Sequence, residues 1–208
     1  GFDYGVTDWL TVGIGRNTYH KEFDGFAKVR LLRQTDSKGM PVSLSYLGAA
    51  SIQTLPKPTL PAGQEYHFSN RLYFVNQLLV ARKINKSISL QLMPTHIHYN
   101  LVPTNAEPND VVAIGGGGRF KVSNRIAINL EYYYTIPSLQ LNGVRNSLGV
   151  GIDIETGGHV FQLMFSNAIA MTERAFIGQT VNDWGNGGIH FGFNISRVFT
   201  IVRPKGFE

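Results

Sequence analysis

Residues 111–135 alternate between two chemistries. Val112, Ile114, Phe120 and Val122 hold one parity, and Gly115, Gly117, Arg119 and Lys121 hold the other. After Ser123-Asn124 the pattern resumes, with Ile126, Ile128, Leu130, Tyr132 and Tyr134 set against Arg125, Asn129, Glu131 and Tyr133. A period of two residues means strands with one apolar and one polar face. The same code has two solutions. A soluble sandwich turns the apolar face inward, whereas a transmembrane barrel gives it to lipid and keeps the polar face for the lumen.

The connections decide between them. Tight turns are expected at residues 5–8, 35–40, 85–86, 123–124 and 157–158, with longer segments rich in Pro, Asn and Thr between them. Short turns at one end and long loops at the other are the asymmetry of outer-membrane barrels, and a Greek-key sandwich has no reason to sort its loops in this way. Strands of about ten residues are long enough to cross a bilayer when tilted. Aromatic residues gather near strand ends, at Trp9, Tyr73, Tyr99, Tyr132 to Tyr134 and Phe199, and are expected to form the interfacial girdles. The expected fold is therefore all-β: an antiparallel up-and-down transmembrane barrel in one domain spanning residues 1–208.

Composition agrees. Charged residues make up 16% of the chain, against about 25% in an ordinary soluble domain. No apolar run reaches the roughly 18 residues of a transmembrane helix. Cysteine is absent, which fits a periplasmic or outer-membrane setting. The net charge of +5 is too mild for a nucleic-acid partner. Without a starting Met or a signal peptide, the chain is expected to be a mature or truncated product. Ten complete strands are legible, and Gly1 to Tyr4 reads as the end of an earlier one. Because barrels with both termini periplasmic have an even number, twelve are expected in the native protein, with an N-terminal part missing. A bulge near Asn76-Gln77 would account for the ambiguous parity of residues 70–83, and Thr172 to Gly188 reads as the longest loop.

The segment Tyr4-Gly5-Val6-Thr7-Asp8-Trp9-Leu10, the repeated hairpins and the closing Phe191-Gly192-Phe193 to Val198-Phe199 strand carry a resemblance. The chain resembles the outer-membrane β-barrel families of the Bacteroidetes, in particular one of unknown function. The resemblance implies a barrel in the outer membrane of a Gram-negative bacterium and offers no catalytic residue. Outer-membrane lipid, and other outer-membrane proteins or lipoproteins, are the expected partners.

Chemical motifs are few. Gly115 to Gly118 lacks the Gly-Lys-Ser/Thr that completes a phosphate-binding loop, and it lies inside a strand, where small residues let the wall approach its contents. His96 and His98 share a strand face at the spacing of a metal pair, but the sequence places no third ligand beside them, so no metal site is assigned. No Gly-x-Ser-x-Gly elbow or triad spacing occurs. No enzyme activity and no cofactor are expected.

The lumen parity is more informative. Lys28, Arg30, Arg119, Lys121, Arg125 and Arg145 are expected to line it, with Glu131, Asp153 and Glu155 as its acids. These charges either pair across strands and fill a narrow barrel or line a basic pore. Gly13, Gly15, Gly149 and Gly151 leave space that water, a loop or a further segment must fill. Two functions remain: a small porin-like channel for polar or anionic solutes, or a structural or accessory subunit of a larger outer-membrane complex.

Overall fold

The computed structural model describes residues 1–18, 20–35, 39–57 and 65–199. Residues 36–38 of one expected turn and 58–64 of one expected loop lie outside them. The described chain forms one antiparallel sheet in strict sequence order: β1 (Phe2–Gly5), β2 (Leu10–Asn17), β3 (Glu22–Leu32), β4 (Ser43–Gln53), β5 (Leu72–Lys83), β6 (Ile88–Tyr99), β7 (Asp110–Lys121), β8 (Ile126–Thr135), β9 (Ser147–Glu155), β10 (Val160–Ser166) and β11 (His190–Ser196). The segment at the chain start is a strand in its own right, pairing Phe2 with Ile14 and Gly5 with Thr11. Among the described residues, eleven strands therefore stand where ten complete ones were expected.

The face code is inverted from that of a soluble protein. Ile114, Leu130, Tyr132, Tyr134, Phe165 and Phe191 point outward and are exposed, while Gln77, Thr95, Asp153 and Ser166 point inward and are buried. The alternation persists through the register: inward Gln77 faces inward Thr95, which faces inward Ala113. Trp9, Tyr132 and Tyr134 are exposed as an outer girdle requires, but Tyr73, Tyr99 and Tyr133 are buried inside. Their odd parity places them in the lumen.

The short connections are built by local hydrogen bonds. Thr7 Oγ1 accepts from the Trp9 and Leu10 N–H groups, Asn85 Oδ1 from Ser87 and Ile88, and Ser123 Oγ from Arg125 and Ile126. In the β9–β10 turn Gly157 has φ of 76°, which a residue with a Cβ adopts reluctantly. The asymmetry between ends has two exceptions. Only four residues separate β2 from β3 at the long-loop end, and ten separate β3 from β4 at the turn end. There Gln34 clasps the end of β5, donating to the Lys83 carbonyl at 2.9 Å and accepting from its N–H at 2.8 Å.

β5 runs without a bulge: its register against β4 is continuous from Ser43↔Ala81 to Ile52↔Leu72. The irregularity lies in β3, between Arg30 and Leu32. The parity of β5 is ambiguous in sequence for another reason. Val75 and Leu79 face inward, where part of the lumen is apolar, and Asn76 faces outward.

That apolar part is made by the β10–β11 connection. Residues expected as loop contain a helix, α1 (Glu173–Gly178), whose Arg174, Ala175, Phe176, Ile177 and Gly178 are all buried. Six residues cannot hold a helix in water, so packing supports it. Phe176 and Ile177 join Tyr73, Val75, Met93, Ile97, Tyr99, Val111 and Tyr133 in one cluster. Because α1 reaches β3 through Arg174 and β9 through Phe176, the sheet curls around it.

Candidate functional site

The lumen has two unlike ends. At the long-loop end α1 is seated by polar and aromatic contacts. Arg174 Nη2 stands 2.7 Å from Glu22 Oε1 in an ion pair with both side chains almost wholly buried. It also donates to Gln179 Oε1 at 3.1 Å. The guanidinium lies over the Tyr73 ring, 3.7 Å from its centroid, and 5.6 Å from that of Tyr99, a favourable cation–π geometry. The pairing is incomplete: among the described residues Arg174 Nε and Nη1 and both Glu22 carboxylate oxygens find no hydrogen-bond partner, so the two groups meet as charges alone.

Glycines make the room for this packing. A Cβ on Gly178 would stand 2.2 Å from the Tyr99 hydroxyl, and one on Gly115 would stand 2.3 Å from the Tyr133 ring. Gly149 lies under Phe176, which meets Tyr133 edge-on at 5.9 Å. Gly13 and Gly15 lie under inward side chains of β1 and β3: Phe26, Asp3 and Asp24. Below α1 a hollow of about 90 Å³ remains, bordered by Asn129, Glu131, Gly151, Gln162 and Ser166.

At the turn end the lining is charged. Arg119 donates to Asp153 at 3.3 Å and to Glu155 at 2.9 Å, and Gln162 also donates to Asp153, at 3.1 Å. Lys28, Arg30 and Lys121 hold inward parity towards the ends of their strands, and Arg125 lies in the turn after β7. These four bases make no ion pair among the described residues. Arg145 is placed elsewhere. It precedes β9, is exposed, and its backbone N–H donates to the Thr180 carbonyl, so it belongs to the loops beside α1.

Beside Glu131, Asp153 and Glu155, four lumen acids escape the sequence pattern. Asp3, Glu22 and Asp24 share the inward face, and Glu173 is carried in by α1. Glu22 and Asp24 had a visible signal, since they continue the parity of Lys28 and Arg30 two steps back, with Phe23 facing outward. Arg174 and Glu173 had none. Burial pushes the Glu173 carboxyl above the usual carboxylate range, and the Asp24 carboxylate adds to the rise. His20, in the tight connection beside them, is held below the usual imidazole range by burial and then by Arg174. The lumen thus carries bases without an ion pair among the described residues at one end and crowded carboxylates near α1 at the other.

On the outer surface, the sheet supplies a carboxylate that sequence could not place beside the two histidines. Asp110 Oδ1 is 2.8 Å from His96 Nε2 and 2.7 Å from His98 Nδ1. This is a hydrogen-bonded arrangement, and among the described residues no group of three such side chains is disposed to hold a metal ion.

Outward apolar strands around a polar lumen are the arrangement of a barrel in lipid. A family model described as a membrane bound beta barrel domain (DUF5777) matches residues 1–199. The chain belongs to this family. As a DUF5777 barrel it is membrane-bound, and its exposed Ile114, Leu130, Phe165 and Phe191 are its lipid-facing side chains. No curated protein and no solved structure matches it.

Proposed function

We propose that this DUF5777 barrel lies in a Gram-negative outer membrane and works as a small porin-like channel for polar, chiefly anionic solutes. α1 holds it shut at the loop end. The observation that carries this reading is the Arg174–Glu22 pair. A permanent plug gains nothing from burying two charges, since apolar residues of equal volume hold as well or better. A buried ion pair acts as a latch: when α1 leaves, both partners regain water. The bases at the turn end supply the field that favours anions, and the carboxylates below α1 set the barrier to passage. No catalytic role is proposed.

The test is planar-bilayer conductance of the folded protein and of a variant with residues 167–189 replaced by a short turn. The expected result is a mostly closed parent and a steadily conducting variant. Its reversal potential across a salt gradient should favour anions, and Lys28→Gln with Arg30→Gln should lessen that preference. A folded variant without conductance would remove the channel and leave an accessory barrel, a second reading favoured by one observation: polar groups stand on the lipid-facing surface.

A further inference from the structure

Ladders join each strand to the next in sequence, and among the described residues none joins β1 to β11. The wall therefore has two free edges. Side-chain exposure agrees with this. Inward residues of interior strands are buried, as at Gln77, Thr95 and Asp153. On β11, Asn194 and His190 share the inward parity of Gln162 and Ser166, yet both are exposed, as is every residue of β1. Both edges also turn apolar side chains outward, Phe2 and Tyr4 on β1 and Phe191, Phe193 and Ile195 on β11. They stand in lipid, where no water satisfies an unpaired backbone N–H or C=O, so an open edge is not a stable end for the wall.

Strand direction restricts what can fill the seam. β1 runs into the 6–9 turn, and β11 runs down from the 167–189 loop, so both point from loop end to turn end. Direct closure would have to be parallel, in a wall that is antiparallel everywhere else. A second copy in the same membrane offers no remedy, because its free edges point the same way. An antiparallel seal needs an odd number of strands between the two edges, and one suffices. We propose that one further strand of this polypeptide, leading into β1, lies between β1 and β11 and closes the wall as its twelfth. Every ladder joins sequence neighbours, so the strand on the free side of β1 is the one before it. It runs from turn end to loop end, alternates apolar outward with polar or small inward residues, and bonds both edges. None of this depends on whether the lumen conducts.

The test uses the full natural chain in native membranes. Photoreactive benzoylphenylalanine replaces Tyr4 in one variant and Phe193 in another, both of them aromatic and lipid-facing, and heat-modifiable gel mobility verifies folding. Mass spectrometry of the digest identifies what each probe captures beyond its neighbour β2 or β10. Both should capture the same stretch, ahead of Gly1. Capture of β11 by the probe at Tyr4 means parallel closure and overturns the proposal. So does capture of residues after Ser196, of a second copy or of a different protein. Capture of β2 and β10 alone overturns it too, since working probes would then have met an empty seam.

Discussion

The loop end of the lumen and its turn end contain the same kinds of residue under opposite conditions. At the loop end Arg174 and Glu22 are sealed from water by aromatic rings and by α1. At the turn end Arg119 and Glu155 keep about a third to two fifths of their side-chain surface exposed. A charge held away from water depends on its partner, whereas one in contact with water is solvated whether its partner stays or goes. The same kind of ion pair is therefore bound to its partner in one place and solvated independently of it in the other.

Removing one partner should separate the two ends most clearly. Arg174→Ala strands a buried carboxylate and should cost about 3–5 kcal/mol, read from urea unfolding of the protein in bilayers. Reversing the pair, with Glu22→Arg and Arg174→Glu together, should recover part of that loss. Equal costs for Arg174→Ala and Arg119→Ala would dissolve the distinction.

Packing offers the next contrast. Gly178→Ala drives a methyl group into the Tyr99 hydroxyl, an overpacking of about 1–3 kcal/mol. Gly116→Ala, on the outward face of β7 with nothing within 4 Å, should be close to neutral. The same unfolding measurement checks both, and a neutral Gly178→Ala would mean that α1 is loosely seated.

At the turn end, Arg119→Ala should cost about 1 kcal/mol or less, because Asp153 keeps Gln162 as a donor. Its clearer signature is in conductance, where an α1-free variant carrying it should lose some anion preference. A loss as large as that of Arg174→Ala would show that water does not reach this end.

The smallest effect concerns Glu173. Its carboxyl is raised by burial and by Asp24, so ionisation destabilises the seated helix above that raised value, and the penalty fades as pH falls through it. Glu173→Gln should therefore stabilise the protein slightly at neutral pH. The gap between variant and parent should close on acidification into and below the raised range. A gap that widens instead would reverse the sign of the coupling.

The alternation at Val111 to Thr135 was enough to place Asn129 and Glu131 inside and Leu130 outside, because a period of two admits only that choice once lipid takes the apolar face. Turn chemistry at Thr7, Asn85, Ser123 and Gly157 was legible for the same local reason: each turn is closed by atoms two or three residues apart. The strand at Phe2–Gly5 was visible merely as a fragment, since four residues show a period weakly and only pairing with β2 makes them a strand. Tertiary structure alone decided the plug. α1 has too few residues to display a helical period, and its stability comes from Tyr73, Tyr99 and Tyr133, which lie far away in sequence. The pairing of Glu22 with Arg174, and of Asp110 with both histidines, was likewise set by where the curled sheet brought distant residues together. Local spacing determines which way a side chain points, and long-range packing determines what it meets there.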